Sequence, residues 1–217
     1  MRKIILIIVI ISPLFSIAQV GIRAGLNFAN ISKVSSIDNS SRTGFNAAIF
    51  LAPKSKGIIS SRTEFIFSRQ GYNYKSGTNT GNVNLDYIML PQYMCINITK
   101  YFTILVGAQA AFLVNAKADS SNNTGSSSSM PGGGIMSFYN KFDYGYGGGV
   151  EVHPVMGLLI GARVNISLGD LYKQPEPGEQ PSFVPKVDVK NNLFQIYAGW
   201  KFGGNKKKDK EKEKKDN

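Results

Sequence analysis

The chain has 217 residues, 11% aromatic and 18% charged, with 23 Gly, one Cys and one His. That length suits a single domain. A lone Cys95 excludes an internal disulfide, and one His beside one Cys leaves a zinc site short of ligands. Of the formal charge of +11, Arg2 and Lys3 hold two units and the Lys206–Asn217 tail three, leaving +6 over the body, too dilute for a nucleic-acid footprint.

Met1-Arg2-Lys3 leads into an apolar run from Ile4 to Ile11, then Ser12-Pro13 and Leu14-Phe15-Ser16-Ile17-Ala18. This is the charged, apolar, small-residue order of a secretory signal cleaved after Ala18. The alternative, an uncleaved anchor, needs a longer run. No Cys follows Ala18, which argues against a lipid anchor. Residues 1–18 are therefore expected to be a signal peptide, with the mature chain outside the cytoplasm.

From there side chains alternate in character, the period-two signature of strands. The first strand is expected over 20–28, with Ile22, Ala24, Leu26 and Phe28 opposite Gly21, Arg23, Gly25 and Asn27. The second, 43–52, sets Phe45, Ala47, Ile49 and Leu51 against Gly44, Asn46 and Ala48. The third, 58–74, carries Phe65 and Phe67 opposite Arg62, Glu64, Ser68 and Gln70. The fourth, 83–98, is apolar on both faces and holds Pro91, which cannot donate to a ladder, so a bulge or break is expected there. The fifth, 103–117, opposes Ile104, Val106, Phe112 and Val114 to Gly107, Gln109 and Asn115. The sixth, 142–153, opposes Phe142, Tyr144, Tyr146 and Val150 to Asp143, Gly145, Gly147 and Glu151. The seventh is the clearest: Leu158, Ile160, Ala162, Val164, Ile166 and Leu168 share one face, and Gly161, Arg163, Asn165 and Ser167 the other. The eighth, 192–202, sets Phe194, Ile196, Ala198, Trp200 and Phe202 against Gln195, Tyr197, Gly199 and Lys201.

The joins alternate in length. Those near 53–57, 99–102 and 154–156 are short; those near 29–42, 75–82, 118–141 and 169–191 are long and rich in Ser, Asn, Gly and Pro. Short turns at one end and long loops at the other mark an up-and-down outer-membrane barrel, whereas a Greek-key sandwich has no reason to segregate them. A soluble sandwich or a lipocalin-type barrel buries its apolar parity; a membrane barrel turns it to lipid. Aromatic residues at strand ends (Phe28, Phe142, Tyr144, Trp200, Phe202) suit an interfacial girdle. The polar parity is rich in Gly, as a narrow interior requires.

The fold class expected is all-β: an eight-stranded antiparallel up-and-down transmembrane β-barrel over 19–203, in the bacterial outer membrane. A barrel of eight strands is filled by side chains, and charges inside need partners. The polar parity supplies Arg23, Arg62, Arg163 and Lys201 against Glu64, Asp143 and Glu151, a candidate lumen network in which the acids partner the cations. Arg69 has the wrong parity for it, so either its side chain reaches the lipid headgroups or the register slips there.

Several segments resemble the PorT-like outer-membrane β-barrel proteins of Bacteroidetes. They are Gln19-Val20-Gly21-Ile22-Arg23-Ala24-Gly25-Leu26-Asn27-Phe28-Ala29-Asn30, Gly44-Phe45-Asn46-Ala47-Ala48, Glu64 to Gly71, Leu85 to Pro91, Gly157 to Arg163 and Phe194 to Phe202. The resemblance covers essentially the whole mature chain. It implies an eight-stranded outer-membrane barrel, and a family whose named member is associated with protein secretion. It supplies no catalytic residues, and the Lys-rich tail, 204–217, departs from it. That tail is expected to be a solvated periplasmic extension.

Enzyme chemistry is not expected. His153 precedes Pro154 at a short turn on the periplasmic side, opposite the end where an outer-membrane hydrolase keeps its constellation. Gly145-Tyr146-Gly147-Gly148-Gly149 lacks the Lys-Ser/Thr of a phosphate loop. No catalytic, metal or cofactor-binding residues are assigned and no cofactor is expected. The partners expected are outer-membrane lipid and proteins met through the extracellular loops or the periplasmic tail. Two other functions compete with a filled barrel working through its loops: a narrow pore for small solutes, and a soluble periplasmic lipocalin-like binder.

Overall fold

The computed structural model describes residues 18–32, 38–53, 57–76, 79–122, 127–130, 135–173 and 189–203. The expected signal segment up to residue 17 and the tail from 204 lie outside the described residues. The strands are β1 (Ala18–Ser32), β2 (Asp38–Pro53), β3 (Ile59–Ser76), β4 (Asn79–Asn97), β5 (Phe102–Asn122), β6 (Ser127–Met130), β7 (Phe142–Val152), β8 (Leu158–Ser167) and β9 (Lys190–Lys201). Each long strand pairs antiparallel with its neighbours in sequence, and β1 closes on β9, with Ala24 opposite Ala198. Eight strands thus form a ring with no free edge. The short β6 pairs only with β5, above the point where β7 leaves it.

The parity is that of a membrane barrel. Ile22, Leu26, Ile49, Phe65, Val106, Ile160, Val164 and Ile196 are exposed on the outer face, while Arg23, Arg62, Glu64, Glu151 and Arg163 are buried inside. A water-soluble sandwich could not leave that apolar surface bare. Phe194, Phe112, Phe142 and Tyr144 ring the outer wall toward the long connections; Tyr101, Trp200 and Phe202 ring it toward the short ones.

The structure corrects four sequence expectations. The strands run further toward the long connections, and β3 and β4 are joined by residues 77–78 alone. There the outward face turns polar, as at Asn30 and Asp119, while Ala29, Ile31 and Ala118 stay buried, so the apolar-outward alternation is lost while the ladder continues. Pro91 introduces no bulge and β4 continues through it, but the expected local break is present in its ladder with β3. Pro91 pairs with Gln109 of β5, and the β3 ladder skips the positions opposite Leu90 and Pro91, which absorbs its missing N–H. The bulge lies between Asp86 and Tyr87 of β4, where Val114 is the extra residue of β5. Past it the inward parity of β5 switches, so Asn115 points outward and donates to Asp86 Oδ2 (2.9 Å), while Ala116 and Ala118 are buried. Finally, Arg69 stays in register opposite Asp86 on the outer face and forms a 2.7 Å ion pair with it.

Candidate functional site

The lumen is the candidate site, and it is stratified. At its centre Glu64 Oε2 accepts from Arg23 Nε (3.1 Å), Arg23 Nη2 (2.9 Å) and Arg163 Nη1 (2.9 Å). Arg62 Nη1 and Nη2 donate to the two oxygens of Glu151 (2.5 and 2.7 Å), and Arg62 Nη1 lies 3.7 Å from Glu64 Oε1. Five of the seven expected residues therefore meet in one belt of three guanidinium groups and two carboxylates, all buried. The other two stand apart. Asp143 accepts from Ser167 Oγ (2.5 Å) nearer the extracellular end, and Lys201 is half-buried at the periplasmic mouth.

Sequence reasoning placed Tyr197, Gln195, Asn27 and Asn46 on the inward face without linking them to this belt, and did not single out Tyr93 or Phe50. Tyr197 donates to Glu151 Oε1 (2.8 Å), and its ring lies beneath the guanidinium carbons of Arg23 (4.4 Å) and Arg163 (5.0 Å). Tyr93 faces Arg163 at 5.1 Å and Phe50 faces Arg62 at 4.9 Å, so the arginines are desolvated onto π-faces as well as paired. Above them Gln195 accepts from Arg163 Nε (2.6 Å) and donates to Asn27 (2.7 Å), which also accepts from Asn46 (2.8 Å) and donates to Ser68 (2.9 Å). Their inward parity was the available signal: Asn27 stands four residues after Arg23 on the same face.

The glycines complement the bulk of these side chains. Register places Gly199 opposite Arg23, Gly149 opposite Arg163, Gly161 opposite Tyr197 and Gly21 opposite Phe50. A Cβ on Gly161 would sit 2.7 Å from Tyr197 Cζ, and one on Gly21 would sit 2.1 Å from Phe50 Cζ. Arg23, Arg163, Tyr197 and Phe50 thus each occupy space that a cross-strand glycine vacates.

A hydrophobic layer seals the extracellular end. Tyr72, Val83, Leu85, Tyr87 and Leu113 of the wall pack with Ile135, Tyr139, Leu171 and Tyr172 from the connections. The Tyr72 hydroxyl meets those of Tyr139 (3.0 Å) and Tyr172, and Tyr139 and Tyr172 form an isolated antiparallel bridge. Burial pushes the Tyr139 and Tyr172 hydroxyls well above the usual phenol range, so they remain neutral donors and acceptors.

At the other end the lumen opens. His153, in the turn after β7, lies 3.4 Å from Thr103 Oγ1 and 3.7 Å from Glu151 Oε2. Burial lowers its pKa, opposed by Glu151 and reinforced by Lys201 and Arg62, so the ring is neutral at neutral pH.

A closed ring of eight strands, lipid-facing apolar parity and a charged interior define the class, a transmembrane β-barrel of the bacterial outer membrane. The chain belongs to the outer membrane protein beta-barrel domain family, whose model matches residues 16–173. Among solved structures it is similar to Ail, the attachment invasion locus protein of Yersinia pestis, at 18% identity and a TM-score of 0.52, covering 85% of this chain and 99% of that one. The same protein in complex with the heparin analogue sucrose octasulfate gives 16% identity and a TM-score of 0.50 over the same shares. Neisserial surface protein A is similar at 14% identity and a TM-score of 0.48, covering 84% and 97%. No curated protein matches the chain.

Proposed function

We propose that the protein is a non-enzymatic outer-membrane barrel with a blocked lumen, acting through its extracellular surface or as a structural or assembly component. We place it in the PorT-like branch of Bacteroidetes proteins, where a secretion-associated role is the nearest precedent. The observation that carries the blocked lumen is the stack of charged belt, amide layer and tyrosine cap, each hydrogen-bonded across the barrel. A rigid, filled barrel leaves recognition to its ends. The connections around 118–141 and 169–191 contribute Ile135, Tyr139, Leu171 and Tyr172 to the cap, and the β5–β6 hairpin continues above the ring. The absence of enzyme chemistry is supported by the position of the single His at the periplasmic end. In this reading residues 1–18 direct export and are removed, and 204–217 form a periplasmic tail. N-terminal sequencing of the mature protein is expected to begin at Gln19.

Planar-bilayer recording tests the blocked lumen. No stable unitary conductance is expected; reproducible channels would overturn it in favour of a narrow solute pore. The role of the extracellular end is tested by cross-linked co-purification from the native outer membrane, comparing the intact protein with one whose residues 118–141 are replaced by a short turn. Partners retained by both would refute it. Ail, a barrel of the same fold, has been solved with a heparin analogue, so a sulfated saccharide is a suitable first soluble probe for this end.

A further inference from the structure

Only one end of the lumen is sealed. Below the belt the interior widens into a cavity of about 1070 Å³ open to the periplasm, large enough for a small organic ligand. Arg62 forms part of its lining, with Lys201, Lys100 and His153 around it, and among the described residues no Asp or Glu lines it. The nearest carboxylate, Glu151, is fully buried and already committed to Arg62 (2.5 Å) and Tyr197 (2.8 Å). Lys201 is therefore a half-buried ammonium with no carboxylate within 4.0 Å among the described residues. An unmatched cation withdrawn from water is costly unless an anion offsets it. Neutral hydrogen-bonding groups continue around the wall, where Asn97 donates to Ser60 Oγ (3.1 Å) and accepts from Thr103 Oγ1 (3.0 Å). Ile58, Val155 and Met156 supply an exposed apolar rim.

We propose that this vestibule binds a small organic oxyanion, a carboxylate or phosphate, from the periplasm, with Lys201 as its principal contact. The site is independent of the extracellular surface. It holds the anion head near Lys201 and places the ligand body against the apolar rim. Because the belt blocks the lumen above it, the anion binds and leaves from the same side.

The test uses the full mature chain in nanodiscs of zwitterionic lipid, with citrate as the carboxylate probe and inorganic phosphate as the phosphate probe. The single His gives a one-residue NMR readout inside the vestibule. At least one of the two anions is expected to shift the His153 ring signals saturably. Lys201→Gln is expected to weaken that binding about tenfold, the scale of one lost charge-assisted contact, and Lys201→Glu to abolish it. Lys190→Gln, which removes the ion pair with Asp170 at the opposite end, is expected to leave the affinity unchanged. Lys201 lies outside the belt, so its variants are expected to fold, and an unchanged urea midpoint confirms this. The proposal is overturned if neither anion moves the His153 signals at ~10 mM. It is also overturned if binding survives Lys201→Glu, which would assign the anions to the Lys-rich tail.

Discussion

Replacing Glu64 with Gln probes the belt with almost no change in volume. Glu64 Oε2 receives three N–H contacts at 2.9–3.1 Å from Arg23 and Arg163, and Oε1 lies 3.7 Å from Arg62. The amide keeps one acceptor oxygen but turns an NH2 toward a guanidinium. It also leaves three buried arginines facing Glu151 alone. Removing one partner of a buried ion pair costs roughly 3–5 kcal/mol, because the remaining charge stays desolvated. With a urea slope of ~2 kcal/mol/M, the unfolding midpoint of the refolded barrel should fall by about 2 M. Adding Arg163→Gln removes one of the stranded charges, so the double variant should recover part of the loss, with a coupling of at least ~1 kcal/mol. A midpoint shift below ~0.5 M for Glu64→Gln, together with simple additivity in the double variant, would refute the belt as a stabilising network.

Three further outcomes follow from the same geometry. Gly161→Ala puts a methyl 2.7 Å from Tyr197 Cζ and 2.8 Å from Glu151 Cγ, and should cost about 1–3 kcal/mol by overpacking. Gly148→Ala, whose nearest neighbour is Leu105 O at 3.4 Å, should stay within ~0.5 kcal/mol in the same urea assay. His153 has its folded pKa below the ordinary value of about 6.5, so the unfolded chain binds more protons in that interval. Stability should therefore rise with pH from the lowered pKa up to about 6.5, a slope that His153→Gln removes from urea midpoints measured across this range. Trp200, the single Trp, is exposed on the outer wall. Its fluorescence should be quenched by lipids brominated near the headgroup and only weakly by aqueous acrylamide; the reverse order would contradict the assignment of that face to lipid.

The wall was legible in the sequence because lipid imposes a rule on it. Outward positions of a spanning strand are predominantly apolar, so Leu158, Ile160, Ala162, Val164 and Ile166 declare their face without reference to any neighbour. Beyond the membrane that rule lapses. The extension of β1 to Ser32 sets buried Ala29 and Ile31 against exposed Asn30, the reverse of the apolar-outward pattern, and that of β5 to Asn122 is largely polar; both read as loop, yet their backbones still pair. The bulge at Val114 was hidden for a related reason, since only the β4 partner reveals that Asn115 has changed sides.

The charged residues of the belt were legible as a set but not as pairs. Glu64 meets Arg23 and Arg163 from 41 and 99 residues away, contacts fixed by barrel closure and register rather than by any strand's own pattern. Apolar residues on the inward parity, such as Phe50, Ile66 and Leu193, were missed because they break the simple polar-inside rule. A filled barrel needs them. Between the cap and the vestibule the lumen is packed like a soluble core: Arg23, Arg62 and Arg163 each lie on an aromatic ring, and Arg23 and Arg163 also have a glycine opposite. The pairing of Arg23 with Tyr197 and Gly199, and of Arg163 with Tyr93 and Gly149, is the same solution applied twice. It also separates the two ends of the molecule. With the belt and the amide layer packed between them, the extracellular cap and the periplasmic vestibule share no lining residue.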